Sequence, residues 1–354
     1  MSLSLYGLPG AVNPHEAYDL VPFRNPDHFE VNKMSLQISI ITPSLNRAQY
    51  IEDAIQSVLN QKCPSVQHII VDGGSTDGTL EILDRYSHID VVSEPDRGMY
   101  DALNKGLGLA RGEIVGFLNT DDLYADNVFL LVLELLKNPK VQAVAGRAKI
   151  LKPDFAGKQA VDLELFPPAP AQVIKESIVG STIFNAWFFK KTLFSLVDGF
   201  DAGYKISGDA DLILRLALKG FKYTVMNQIV YLYRQHEGSL TMQLDTKKLL
   251  KIWDDHLIFR SKFKNYPDMP RKTNAYWNEL FANTCIMISA EYLREENHIQ
   301  AALWNLKAFL YAPYHVFVFK MKRVRRTIHM NVRRIMVQMK RLLKSMFSRS
   351  QPYE

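Results

Sequence analysis

From Leu36 onward the chain alternates between two hydrophobic patterns. Ile38-Ser-Ile-Ile-Thr42 is a β-branched apolar run closed by a Pro/Ser/Asn turn, after which apolar residues from Tyr50 to Gln61 recur at helical spacing. His68-Ile-Ile-Val71 repeats the first pattern, and Leu80, Ile82, Leu83 and Tyr86 repeat the second. Asp90 to Ser93 is a third short strand, Met99 to Ala110 a helix, and Ile114 to Leu118 a fourth strand ending at Asn119-Thr-Asp-Asp122. Strands alternating with helices predict an α/β fold with a mostly parallel sheet and right-handed crossovers. On such sheets ligands bind at the carboxyl ends of the strands, where Thr42, Asp72, Ser93 to Asp96 and Asp121 to Asp122 fall.

Beyond this core the pattern is less regular. Residues 1–33 carry Pro9, Pro14, Pro22 and Pro26 without periodicity and are expected to form an irregular extension, taken with the residues before the first strand as 1–35. Residues 151–178 are rich in proline and cannot be assigned. Ile183 to Leu193 and Asp198-Gly-Phe-Asp201 lead into a helix from Asp209 to Leu218, and Tyr223 to Tyr233 is a last strand. From Lys247 the pattern is all helical, with amphipathic segments at Tyr276 to Leu293 and His298 to Tyr311 that predict a hairpin. The expected division is an extension at 1–35, an α/β domain at 36–240, a helical region at 241–312 and a basic amphipathic tail at 313–354.

Composition sharpens this picture in two ways. Cys63 and Cys285 are the only cysteines and have no His or Cys neighbours at ligand spacing, which argues against a disulfide framework or a zinc site and for a reducing cytosolic compartment. No charge-free run of eighteen apolar residues occurs, so neither a spanning segment nor a secretory signal is expected. The formal charge of +6 hides an asymmetry: between Glu296 and Glu354 there are twelve Lys and Arg and no acidic residue. The first 296 residues hold 31 Lys and Arg against 36 Asp and Glu. The basic character belongs to one segment, which points to an anionic partner.

Three strings can carry chemistry. Asp121 and Asp122 follow an apolar strand, and adjacent carboxylates there can hold a hard cation with positions open for phosphate oxygens. The same pair before an apolar helix can equally be an N-cap. Asp72-Gly-Gly-Ser-Thr-Asp-Gly-Thr79 allows close backbone approach to a ligand, with Asp72 able to accept from the imide of a base, or it is a tight turn with a capping hydroxyl. It is neither a Walker motif nor GxGxxG. In Ser207-Gly-Asp-Ala-Asp211, Asp209 opens a helix, where a carboxylate is a cap or, pointing into a sugar site, a general base.

Taken in order, five strings resemble glycosyltransferase family 2, the inverting enzymes of the GT-A fold. They are Ile-Ser-Ile-Ile-Thr-Pro-Ser-Leu-Asn-Arg47, Val-Asp-Gly-Gly-Ser-Thr-Asp-Gly-Thr79, Ser-Glu-Pro-Asp-Arg-Gly-Met-Tyr-Asp-Ala-Leu-Asn-Lys-Gly106, Gly-Phe-Leu-Asn-Thr-Asp-Asp122 and Gly-Phe-Asp-Ala-Gly-Tyr-Lys-Ile-Ser-Gly-Asp-Ala-Asp211. The resemblance implies that Pro43 and Asp72 contact the base of a nucleotide-diphosphate sugar and that Asp96 and Asn104 complete the nucleotide pocket. It implies that Asp121 and Asp122 form a DXD-like site, with Asp122 the direct ligand of Mn2+ or Mg2+, that Asp209 is the catalytic base, and that His236 lies by the metal or diphosphate. Gly73 departs from the pattern, since many members carry a second Asp there, and a His often found near Phe184 is absent. Without Gln-x-x-Arg-Trp or membrane spans, the chain is expected to be unlike processive synthases and to transfer a single sugar. The third string looks like the branch found in bacterial exopolysaccharide and surface-polysaccharide clusters.

Between Phe317 and Phe347, apolar positions are interleaved with ten Lys and Arg. A basic amphipathic helix on an anionic membrane surface fits this pattern, against a solvated charged helix or an RNA-binding arm. The expectation is a cytoplasmic enzyme peripherally held at the inner face of the cell membrane, acting on a lipid-linked or glycan acceptor, with no nucleic-acid partner. A sugar nucleotidyltransferase is the alternative enzyme, though it typically opens with a Gly-rich basic loop missing after Thr42. A catalytically inactive scaffold is the non-enzyme alternative.

Overall fold

In a computed structural model, the structure describes residues 37–64, 66–153, 159–179, 182–236, 245–264, 266, 269–270, 272–313 and 316. The expected extension at 1–35 and nearly all of the basic tail lie outside the described residues. Contacts divide the chain after Leu280 into two units.

The first unit begins with β1 (Ile38–Ser44), α1 (Ile51–Leu59), β2 (Val66–Asp72), α2 (Thr79–Leu83), β3 (Ile89–Ser93), α3 (Met99–Leu109) and β4 (Ile114–Phe117). It continues with β5 (Leu123–Tyr124), α4 (Phe129–Leu136), β6 (Ala143–Pro153), β7 (Gln159–Leu165), α5 (Val173–Val179), β8 (Trp187–Lys190) and α6 (Thr192–Ser195). α7 (Gly208–Leu218), β9 (Tyr223–Arg234) and α8 (Thr246–Phe263) follow, and α9 (Thr273–Arg294) runs across the division.

The strands form one sheet in the order β3-β2-β1-β4-β8-β6-β9-β5, with β7 on β6. The first four are parallel, as expected from helices that carry the chain from one strand to the next. The remainder is mixed: β8 is antiparallel to both β4 and β6, β5 is antiparallel to β9, and β6 and β9 are parallel. The unassigned stretch contains the end of β6, β7 and α5.

Buried on both faces, β1 shows why an apolar run without strict alternation becomes a central parallel strand. Ile38 and Ile40 join a core with α1, α4 and Phe188. Ile41, on the opposite face, joins a core formed with α3 and α7 and extended by Phe259, Phe263, Trp277 and Leu280. A Cβ at Gly106 would come 2.3 Å from Ile41 Cγ2, so only glycine lets α3 lie this close to β1. α8, which follows the boundary expected at 240, supplies part of this core.

Register fixes the site. Ser44 pairs with Asp72 and Asp72 with Ser93, so β1, β2 and β3 end level on one edge of the sheet. Leu118 N–H donates to Ile41 O at 3.0 Å, which brings Asn119 to Asp122 to the same edge.

In the second unit the described part is the rest of α9 and α10 (His298–Tyr311), the expected hairpin. Ser289 Oγ donates to Ala301 O at 2.8 Å, Asn305 Nδ2 donates to Ser289 Oγ at 2.5 Å, and Phe281 stacks on Tyr311. Asn297 caps α10 by accepting from Gln300 N–H. Among the described residues no helix is long and apolar enough to cross a membrane, and Cys285 is buried.

Candidate active site

The level strand ends open into a cleft of about 520 Å3, a size suited to a small-molecule ligand. Pro43, Asp96, Asp121, Asp122 and Asp209 all line it.

On one side, Asp122 is 4% exposed and accepts from Asn119 Nδ2 (3.2 Å), Tyr231 Oη (2.9 Å) and Arg234 N–H (2.9 Å). Burial, and then the neighbouring Asp121 carboxylate, push Asp122 well above the usual carboxylate range. Asp121 Oδ2 lies 2.9 Å from His236 Nε2. His236 thus joins the cluster through Asp121, with its ring 4.6 Å from that of Tyr50. Two adjacent carboxylates, one taken out of water, concentrate negative charge that a divalent cation relieves, and carboxylate oxygens are the ligands Mg2+ and Mn2+ prefer. Among the described residues no three His, Cys, Asp or Glu side chains form a complete metal cage. An ion held by the Asp121–Asp122 pair would take its remaining ligands from phosphate and water.

Across the cleft, Asp209 stands at the start of α7, half-buried, its Oδ1 accepting from Ala210 N–H at 2.8 Å and lying 3.5 Å from Tyr100 Oη. Burial pushes it up to about 6. A carboxylate so placed is ionised at neutral pH and more basic than a solvated one, as general-base chemistry requires.

Asp96 accepts from Gly98 N–H at 2.8 Å at the start of α3. It also accounts for Gly73: a Cβ there would meet Asp96 Oδ2 at 2.7 Å, so the glycine makes room for this carboxylate.

Two expected site residues lie elsewhere. Asn104 donates to Phe200 O (2.8 Å) and accepts from Phe200 N–H (2.9 Å), tying α3 to the turn before α7 and lining no part of the cleft. The expected nucleotide-pocket residue thus spends its amide on the backbone of Phe200. Asp72 is fully buried and outside the lining, where it accepts from Gly74 N–H, Ser75 N–H, Ser75 Oγ and Ser93 Oγ. The rest of its motif laces the loops after β1 and β2 together, with Asn46 N–H donating to Ser75 Oγ, Arg47 N–H to Thr79 Oγ1 and Ala48 N–H to Asp77 Oδ2.

Four features escape the sequence. Asp255 on α8 is 1% exposed and accepts from the backbone N–H groups of Lys205, Ile206 and Ser207 at 2.6–3.1 Å. It thereby fixes the loop that presents Asp209, from a helix whose sequence carries no motif. Arg234 embraces the acidic pair, its Nε donating to Asp121 O (2.6 Å) and its Nη1 to Asp53 Oδ2 (2.5 Å), with the guanidinium 5.1 Å over the Tyr50 ring. Tyr231 bridges Asn119 N–H and Asp122. Ile183, in the cleft wall, adopts φ 43° and ψ 52°, a left-handed conformation that costs a β-branched residue and marks local strain at the site.

Known proteins match this arrangement. Residues 39–195 match the model of the family described as glycosyl transferase family 2. The putative teichuronic acid biosynthesis glycosyltransferase TuaG of Bacillus subtilis (strain 168) is 32% identical over 215 residues, covering 58% of this chain and 81% of that protein. A chondroitin synthase of Pasteurella multocida (strain Pm70) is 29% identical over 217 residues, 60% of this chain but only 22% of that much longer protein. The mannosyltransferase PcManGT of Pyrobaculum calidifontis, solved with GDP-Man and Mn2+, shares the fold at a TM-score of 0.54 and 18% identity, covering 86% of this chain and 87% of that one. With four of the five ordered motifs lining one cleft, a mixed α/β sheet like that of the GT-A enzymes, and the match to TuaG over most of its length, the chain belongs to glycosyl transferase family 2.

Proposed function

We propose that this glycosyltransferase moves a single sugar from a nucleoside-diphosphate donor to a lipid-linked or glycan acceptor, with inversion at the anomeric carbon. The observation that supports it is the placement of two kinds of carboxylate in one cleft: Asp121 and Asp122 on one side, and Asp209, pushed up to about 6, on the other. Asp122 and Asp121, with His236 at hydrogen-bond distance from Asp121, would hold Mn2+ or Mg2+ against the donor diphosphate. When bound, that ion supplies Lewis-acid neutralisation of the leaving diphosphate. Asp209 accepts the proton of the acceptor hydroxyl as its oxygen bonds to the anomeric carbon and the bond to the diphosphate oxygen breaks. Tyr100 and Asp255 hold the loop that presents Asp209: Tyr100 Oη donates to Ile206 O, and Asp255 takes the neighbouring N–H groups. Asp96 and Pro43 border the space for the nucleoside. Asp72, closed off by its own loop, would reach a base only if that loop opened.

The sequence from Lys320 to Lys344 supports peripheral attachment to an anionic membrane, where a lipid-linked acceptor would be found. The direct test is thermal stabilisation by UDP, GDP, CDP and dTDP, with and without Mn2+, in the wild type and in Asp122→Ala. Saturating ligand at a hundredfold excess over Kd stabilises by about 2.7 kcal/mol. One nucleotide should stand out, require the ion and lose its effect in the variant; no shift with any of them would sink the reading.

A further inference from the structure

The helix α10 is apolar on two opposite sides. At about 3.6 residues per turn, Ala301, Trp304 and Ala308 share one side and are buried. Ile299, Leu303, Leu306 and Leu310 form the other side, spaced as successive turns of one stripe, and are 76%, 49%, 56% and 74% exposed. Phe309 flanks them and is 52% exposed. Single exposed leucines are ordinary, but a row along the full length of a helix marks a surface that something else covers.

Charge selects the occupant. From Asn297 to Tyr353 the sequence holds twelve Lys and Arg and no Asp or Glu, and Lys307 on α10 is the first of them. A second copy packed on this face would bring the same cationic run against its twin. An anionic lipid surface accepts both features, taking leucine side chains at the boundary between headgroups and acyl chains while its phosphates pair with the cations. α10 has 14 residues and ends at Tyr311, too short to span a bilayer but well suited to lie in its surface.

We infer that the outer face of α10 lies in the interface of an anionic bilayer, the same surface that suits the charge of the basic segment following it in sequence. This rests on the membrane attachment proposed for that segment and extends it to a folded element. Stable attachment needs two signals, and here the apolar stripe is one and the polybasic run the other.

The experiment is sedimentation of the full chain with vesicles of phosphatidylglycerol and, separately, phosphatidylcholine, comparing wild type with Leu306→Gln/Leu310→Gln and with Ile299→Gln. Glutamine removes the apolar surface without adding charge. The wild type should bind phosphatidylglycerol selectively, the double variant about tenfold more weakly and the single variant by a smaller factor, with the nucleotide-induced thermal shift unchanged as a check on folding. Equal binding of wild type and both variants would overturn the role of α10 while leaving the basic segment as the anchor. Absence of wild-type binding would overturn both. A wild-type dimer that the double variant converts to monomer without vesicles would assign the face to a second copy. Lower stability of the variant with undiminished vesicle binding would assign it to the chain's own tail. A wild type that binds vesicles but shows no nucleotide shift would defeat the donor reading and leave this one standing.

Discussion

The ends of the parallel strands β2 and β4 each lead into a loop with an aspartate, Asp72 in one and Asp122 in the other, yet the two carboxylates have opposite fates. Asp72 is saturated by its own surroundings, with three of its four donors lying within three residues of it and the fourth on the adjacent strand β3. Asp122 is held by Tyr231 and Arg234, more than a hundred residues away, and sits beside a second carboxylate. A carboxylate satisfied locally organises a loop. One that is buried against another charge keeps an unmet demand for a cation, and that demand is what a diphosphate site can use.

The largest effect should come from the far wall. Asp209→Asn is expected to lower transfer by about a thousandfold, within the range for loss of a general base, while the nucleotide thermal shift stays. Loss of donor binding instead would reassign Asp209 to the donor side. In the wild type, turnover should fall as pH drops through about 6, because the base must be ionised and burial has raised its proton affinity. Since burial lifts the folded pKa above the ordinary carboxylate value, the stabilising effect of its proton is lost as pH rises from about 4 through about 6. Asp209→Asn should therefore melt higher than wild type at pH 7, measured by calorimetry.

Next is Asp255→Ala, which leaves three backbone N–H groups without their acceptor and should cost about 3 kcal/mol of stability. If Asp255 positions the loop, turnover should fall more than donor affinity in denaturant-matched assays. Asp72→Ala should cost about 2 kcal/mol through its loop and weaken nucleotide binding only modestly; a loss of binding as large as that of Asp122→Ala would erase the contrast between the two loops. Asn104→Ala is the smallest on function, with about 1.5 kcal/mol lost in urea unfolding and donor affinity unchanged.

Much of the fold was legible because its signals are local. β1, β2 and β4 are apolar runs bounded by turn residues, and α3 runs from Met99 to Leu109 where helical spacing placed it. The stretch from 151 to 178 was not legible: β7 pairs with β6 across a bulge near Leu151, and such pairing follows from neighbours in the sheet, not from a period in the sequence. Pro43, Asp96, Asp121, Asp122 and Asp209 lie at or near the boundaries of elements that the sequence delimits, and the structure brings all five to one cleft. Asn104 lies outside its lining: a motif shows that a polar residue matters without showing which way its helix turns it. Asp255 left no signal, since an aspartate in the middle of an amphipathic helix resembles any solvated position.

By itself, then, the sequence determined the alternation of strands and helices, the level carboxylates at strand ends and the cationic run after Glu296, all set by residues close together in the chain. Only the tertiary structure decided which carboxylates face the cleft, which are spent on backbone amides, and which side of α10 stays open. Those outcomes depend on hydrogen-bond partners and packing faces supplied from more than a hundred residues away, as between Asp121 and Arg234, and no local pattern encodes them.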